Sequence, residues 1–266
     1  MVNPLFQVPG IVSGRALGLI FDVVLMLLVV YYMGGGKNIK IRRVPGLDAI
    51  EEAVGRAAEM GKPVVASFGI AGSGFDYWTM AGLAILAHVA KLSAKTGTRL
   101  IVPTGGSDQS LIVRPVAEEI VRNAYLIEGR PEAFSDNDLP FLSGQQYAYT
   151  GGYIGILQRM RPASVIMTGS HASEAMNIAE TSNMIGAITI TAGSYVSNTA
   201  SLACASDYIL IGEEAPAAGA YLSQDPTQRA SIRAQDIYKA ISIIMIIGGL
   251  IILAAGSDVV IRLLVS

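Results

Sequence analysis

Three hydrophobic patterns alternate along the chain, and each predicts a different element. The first is the unbroken run. Ala16 to Met33, ALGLIFDVVLMLLVVYYM, holds one charge in 18 residues. As a helix it is ~27 Å long at ~1.5 Å per residue, and extension back to Ile11 reaches the ~30 Å of a hydrocarbon core. Ala240 to Ala255, AISIIMIIGGLIILAA, holds no charge. Tyr238 and Lys239 before it, and Gly256 to Val260 after it, bring it to spanning length. Two transmembrane helices are therefore expected to bracket ~200 residues. A cleaved signal peptide fits the first run poorly. The run is long, no Lys or Arg precedes Arg15, and the basic cluster follows the run rather than leading it.

The second and third patterns fill the middle. Continuous apolar runs of strand length recur at 62–68 (KPVVASF), 98–103 (TRLIVP), 163–168 (ASVIMT), 187–191 (AITIT) and 208–211 (YILI). Between them lie stretches with helical spacing: 47–60, 75–95, 108–125, 145–160, 172–184 and 195–205. The helix over 145–160 is expected to break at Gly151-Gly152. A last helix starts near Pro226 and runs towards the second apolar run. Buried strands separated by helices are the βαβ pattern of a parallel sheet covered on both faces. The predicted fold is α/β: a doubly wound, mostly parallel five-stranded sheet in three Rossmann-like layers, flanked by N- and C-terminal transmembrane helices. The expected divisions are 1–36 (N-terminal segment and first span), 37–46 (basic linker), 47–225 (α/β domain) and 226–266 (C-terminal helix with the second span). Residues 128–144, with Pro131, Pro140 and Asp136-Asn137-Asp138, read as an insertion loop.

Charge adds an orientation. Lys37, Lys40, Arg42 and Arg43 follow the first span, and Arg229, Arg233 and Lys239 precede the second. Only Arg15 and Arg262 lie on the far side. The positive-inside rule puts the domain in the cytoplasm and both termini outside, with a prokaryotic plasma membrane as the default location. Asp22 lies within the first span, where an ionisable group costs at least ~2.5 kcal/mol unless paired. Arg262, or a polar group of an adjacent helix or subunit, is its expected contact. Gly248-Gly249 permits close helix approach in the second span.

Composition narrows the class. Apolar residues make up 52% and charged residues 15%, against roughly 25% charged in an average soluble domain. Disorder, coiled coil and disulfide scaffold are excluded. The formal net charge of −2 provides no global field for nucleic acid. The single Cys204 has no internal disulfide partner and reads as a small buried helix residue. Two histidines and no CxxC leave no zinc or multi-histidine site within one chain. No metal or cofactor is expected.

Candidate chemistry lies at the carboxyl ends of the strands, where open α/β sheets bind ligands. These ends are rich in Gly, Ser and Thr: Gly69–Gly74, Thr104–Asp108, Thr168–His171, Gly193–Tyr195 and Gly212–Glu214. Glycine lets backbone approach a ligand, and helix starts favour anions; the same residues also serve as ordinary turn and cap residues. Gly72, Ser73, Thr104, Ser107, Ser170, Ser194 and Glu213 are the ligand-binding candidates. Specific motifs are missing: no G-x-G-x-x-G, no Walker A and no G-x-S-x-G occurs. His171 is the sharpest candidate. At a helix start it suits a general base, with Ser73 and Asp108 as companions. Against this stands a capping reading, in which Ser170 and Glu174 cap the helix and His171 is merely exposed. Glu213 and Glu214 with Asp108 could hold a divalent cation, although adjacent carboxylates more often face water or a neighbouring subunit.

The run LIGEEAPAAGAYLS, Leu210 to Ser223, with the flanking spans and the Gly/Ser strand ends, resembles an uncharacterised family of two-span prokaryotic membrane proteins. The resemblance implies a membrane-anchored α/β domain of unknown function and assigns no catalytic residue. Two functions stay open. The first is a membrane-anchored cytoplasmic module acting as an oligomeric scaffold, a binding module or a subunit of a membrane complex, with the lipid bilayer and other subunits as partners. The second is a membrane-tethered enzyme or small-ligand sensor using the strand-end crevice.

Overall fold

The computed structural model describes residues 13–34, 41–70, 72 and 74–256. The chain forms two compact units: Ile41–Gln224, and Met1–Lys40 with Asp225–Ser266.

The first unit is built on a five-stranded parallel sheet of β1 (Val64–Gly69), β2 (Leu100–Ile101), β5 (Ser164–Ser170), β6 (Ile188–Gly193) and β7 (Tyr208–Ile211). All five coincide with the apolar runs in the sequence. The spatial order is β2-β1-β5-β6-β7 and every neighbouring pair is parallel. Within this sheet the order of appearance is 2-1-3-4-5, a doubly wound arrangement whose direction of winding reverses between β1 and β5. Every residue of β1 and of β5 is buried, which is why these strands read as continuous apolar runs rather than alternations.

Helices cover both faces. On one side α2 (Pro45–Met60), α3 (Tyr77–Thr96), α4 (Ser110–Ile127) and α8 (Glu214–Ser223) share a core with Phe68, Leu86, Val89 and Ile166. On the other, α5 (Gln146–Met160), α6 (Glu174–Met184) and α7 (Val196–Ala205) pack through Tyr149, Tyr153, Ile178 and Leu202 onto Val65, Val165 and Met167. Burial of these side chains is the main stabilising term, at ~25 cal/mol per Å² of apolar surface.

Four expectations need correction. Helix α5 runs unbroken through Gly151-Gly152. Its buried Tyr149, Tyr153 and Leu157 hold the helix down, and a Cβ on Gly152 would lie 3.2 Å from Leu142, so that glycine serves close packing. Residues 128–144 are not a plain loop. They contain two 3-10 turns and β4 (Phe141–Ser143), which pairs in parallel with β3 (Thr104–Gly105). Val102 N–H donates to Asp138 O at 2.7 Å and Thr104 N–H to Pro140 O at 2.9 Å, so this segment shields the chain just past β2. Helix α8 has no counterpart in the sequence reading. Pro216 and Gly219 obscured it, yet Pro216 lies in its first turn, where no N–H is needed, and Gly219 lets α8 approach Ala81 of α3. Cys204 is exposed, because Leu202 and Ala205 take the buried positions of α7.

In the second unit α1 (Ser13–Gly34) packs against α9 (Pro226–Ala254), with the Phe21 and Tyr238 rings edge to face at 5.9 Å. Among the described residues one helix, Pro226–Ala254, is long and apolar enough to cross a membrane, and none of its apolar window is buried. The apolar part of α1 is the shorter Gly18–Tyr32.

Candidate functional site

The reversal between β1 and β5 is where a doubly wound sheet opens a crevice, because the chain leaves the two strand ends in opposite directions. Here the two ends are fastened together. Ile70 N–H donates to Ser170 O at 2.8 Å. Gly69 and Gly169 both adopt positive φ, 98° and 94°. A Cβ on Gly69 would lie 2.2 Å from Ser170 O, and one on Gly169 2.0 Å from Phe68 O. Glycine at these two positions is therefore what allows the strand ends to close on each other.

The seam continues sideways through the serines. Ser107 Oγ donates to Ile70 O at 3.0 Å. Ser194 Oγ donates to His171 O at 3.0 Å and accepts from His171 N–H at 3.3 Å. The structure thus brings Ser107, Ser170, His171 and Ser194 into one hydrogen-bonded band across the ends of β1, β5 and β6. Thr104 is buried in β3, and its Oγ1 donates to Pro140 O at 3.1 Å. Gly72 and Asp108 are exposed. Glu213 is exposed at the start of α8. Ser73 and Arg262 lie outside the described residues, and Asp22 is exposed on α1.

His171 is not an exposed cap neighbour. Its side chain is 1% exposed and its Nδ1 stands 3.4 Å from Oε1 of Glu174, which is 0% exposed. Ser170 belongs to β5, so it does not cap α6. The N-cap position is Ser173, with no side-chain cap bond, and Glu174 opens the helix and folds back on the turn before it: Oε1 accepts from Ala172 N–H at 2.8 Å, and Oε2 accepts from Gln146 Nε2 at 2.5 Å. Burial pushes this carboxyl up, but the His171 side chain, the Ala172 N–H and the Gln146 amide outweigh it and hold the pKa at about 2. Neither His171 nitrogen has a hydrogen bond among the described residues, and an unsatisfied buried polar atom costs ~1–3 kcal/mol.

Three residues near this pair escaped the sequence reading. Tyr149 OH and Ser67 Oγ form a buried hydrogen bond of 3.2 Å, and burial raises the Tyr149 pKa well above its usual value. Tyr153 OH is buried without a hydrogen-bond partner among the described residues. The signal was the spacing Gln146, Tyr149, Tyr153 along one face of α5. Among the described residues no group of three His, Cys, Asp or Glu side chains stands close enough to hold a metal ion. Two clefts occur at the opposite, amino end of the sheet. One of about 320 Å³ is lined by Ala53, Arg56, Asp207 and Tyr208, and one of about 360 Å³ by Lys62, Thr98, Arg99 and Met160.

These features define a doubly wound parallel α/β protein whose β1 and β5 ends are fastened together, with the Ser107 and Ser194 hydroxyls bonded to backbone carbonyls beside them. The chain belongs to the family described as domain of unknown function DUF6754, which matches residues 10–264. No curated protein and no solved structure matches it.

Proposed function

We propose that this chain is a membrane-anchored α/β module that works by assembly or binding, as an oligomeric scaffold or a subunit of a membrane complex. In this reading flanking spans hold the α/β unit on the cytoplasmic side of a prokaryotic plasma membrane, with both termini outside. The observation that carries it is the surface of α9. Ile244 is 69% exposed, and Ile246, Leu250 and Ile251 stand out beside it. A contiguous exposed apolar surface of this kind marks a membrane or a partner. The closed band at the strand ends supports the same reading, since the Ser107 and Ser194 hydroxyls are engaged by the backbone of Ile70 and His171.

The test is fractionation followed by topology mapping. The chain should resist alkaline carbonate extraction and dissolve only in detergent. A reporter fused after Ser266 should lie outside the cytoplasm, and protease added to intact spheroplasts should spare residues 47–225. Release by carbonate overturns the anchoring, and cleavage within 47–225 overturns the orientation.

A second reading, a small-ligand sensor or enzyme at the strand ends, has one observation in its favour: the unbonded His171 nitrogens beside an ionised Glu174. It expects a small molecule to co-purify with the chain and to be lost in His171→Ala. Native mass spectrometry showing no such mass difference removes it.

A further inference from the structure

We infer that β7 is an interface: two copies of this chain pair their β7 strands antiparallel about a two-fold axis and join two five-stranded sheets into one. This deepens the assembly reading above and rests on it, by naming the surface through which copies meet.

The two edges of the sheet differ. Just past β2, the segment that carries β4 covers the chain. Val102 N–H donates to Asp138 O and Thr104 N–H to Pro140 O, and Arg99 holds the Asp138 carboxylate through two nitrogens at 2.9 and 2.7 Å. At the other edge stands β7, which among the described residues pairs with β6 alone. An uncovered edge is ordinarily blunted by lysine, proline or a bulge. Tyr208–Ile211 reads YILI and keeps a continuous register against β6, so it has none of these. Tyr208 is 46% exposed and Ile211 53%.

The flank of this edge is bare of charge as well. From Ala187 to Ile211, through β6, α7 and β7, the only Asp, Glu, Lys or Arg is Asp207. Helix α7 turns Ala200, Ser201, Ala203 and Cys204 outward, where a surface helix ordinarily carries charged or strongly polar groups. The carboxylates nearest the two ends of β7 are bonded to the unit's own backbone. Asp207 Oδ2 accepts from Thr189 N–H at 2.8 Å, and Glu214 Oε2 accepts from Ile211 N–H at 2.9 Å. On the opposite face α2 is charged, but beside Tyr208 its Glu52 and Arg56 pair with each other at 2.8 Å. Asp48 and Glu51 of α2 are bound by Arg43.

The backbone sets the register. Successive residues of a strand turn their N–H and C=O groups to opposite edges. Asp207 N–H donates to Thr189 O at 2.9 Å, so Asp207 and Ile209 address β6, while Tyr208 and Leu210 address the open edge. The side chains agree with this alternation: Leu210 lies in the core under α2, and Ile209 packs on the core under α7. One antiparallel register uses every outward group. It sets Tyr208 against Leu210 of the second copy, Leu210 against Tyr208, and Ile209 against Ile209 on the two-fold axis. A lipid surface offers no partner for these N–H and C=O groups, and a charged peptide or nucleic acid meets no counter-charge along α7. A second copy brings both the matching backbone and an equally uncharged flank, as an isologous contact requires. A stable interface takes ~800 Å² from each partner, more than four edge residues present, and the outward side of α7 adjoins them to supply the rest.

Cysteine cross-linking on the full chain in its membrane tests the register, in a Cys204→Ser background. Ile209→Cys should give a disulfide-linked dimer on mild oxidation, because Cα atoms across such a non-hydrogen-bonded pair lie ~4.5 Å apart, within disulfide range. Ile211→Cys should not, because its two copies would stand about four residues apart along the strands, ~13 Å, beyond the ~7 Å limit. Tyr208→Pro removes an outward N–H and leaves the bonds to β6 in place. It should raise the dimer dissociation constant in detergent at least tenfold, with the fluorescence of Trp78 unchanged. Equal cross-linking at both positions, or a linked product whose mass is not twice that of the chain, overturns the inference. An oligomer that survives Tyr208→Pro and gives no disulfide with Ile209→Cys overturns the edge pairing alone and leaves assembly standing. A parent that is monomeric in membrane and detergent overturns the pairing and the oligomeric scaffold together.

Discussion

The α/β unit and α9 are both strongly apolar, yet they dispose of that surface in opposite ways. In β1 and β5 every side chain is inside, and the helices that cover them hide Phe68, Ile85 and Tyr153 completely. In α9 the apolar residues from Ile243 to Leu253 are mostly outside, and the buried positions are the small Ala230 and Ala234. A chain can bury apolar groups against itself or leave them for another medium, and hydrophobicity alone does not tell the two apart. The difference lies in what interrupts the run. Apolar runs that fold inward are strand-length and end in Gly, Ser or Thr. Those that stay outside are helix-length, and each starts directly after a charge, Arg15 or Lys239.

The sharpest way to break this comparison is to truncate one apolar side chain in each region. Phe68→Ala removes a ring from the fully buried core and should destabilise the α/β unit by ~3–5 kcal/mol. Ile246→Ala, on the exposed surface of α9, should change the unfolding of the α/β unit by less than ~0.5 kcal/mol. Chemical denaturation of the full chain in detergent, followed by the fluorescence of Trp78, which packs against that core, measures both. Equal losses would mean that α9 is part of the same cooperative fold.

That contrast also sets what the sequence could reveal. β1 and β5 were legible because a strand buried on both faces is apolar nearly throughout, and the edge strand β7, with Tyr208 and Ile211 exposed, was legible from its aromatic and β-branched run. Helix α8 was hidden because its cover is alanine and glycine, Ala215, Ala218, Gly219 and Ala220, which carry little hydrophobic signal. The strands β3 and β4 were hidden because two or three residues establish no period. At the candidate site, the glycines and serines were legible as turn residues, but their use was not. Whether Ser107 or Ser194 faces a ligand or a neighbouring turn depends on contacts 37 and 23 residues away in sequence. Burial of His171 was equally invisible, because it follows from Glu174, Gln146 and Ser194 meeting from three elements.

The Glu174 carboxylate sharpens the comparison inside the α/β unit, as an ionised group in a region otherwise sealed for apolar packing. Its folded pKa of about 2 lies below the value of 4.5 for a free side chain. A depressed acid pKa contributes stability that is fully present above the unfolded pKa and is lost as pH falls through the folded one. Unfolding free energy should therefore decline between about pH 5 and pH 2, by roughly 3 kcal/mol from this group. In Glu174→Gln that part of the acid limb should flatten. An unchanged acid limb in the variant would show that Glu174 is not held ionised by the fold.

The smallest effect belongs to Asp22, the one acidic or basic residue in the Gly18–Tyr32 stretch of α1. It is exposed, in company with Leu19, Val23 and Met26. It pairs with no described residue, and the expected partner Arg262 lies outside the described residues. If α1 lies in the bilayer, a carboxyl on a lipid-facing surface costs at least ~2.5 kcal/mol, so a polar group of another helix should meet it. Hydrogen bonds between helices in membranes are worth ~1 kcal/mol. Asp22→Asn keeps a hydrogen-bonding side chain and should leave the oligomer intact. Asp22→Leu should weaken assembly by ~1 kcal/mol per contact, seen as a several-fold shift towards smaller species on dilution in detergent. A Leu variant that assembles and resists heating as well as the parent would mean that Asp22 is not an assembly contact, and the role of fixing helix register would then have to lie with the Phe21–Tyr238 contact instead.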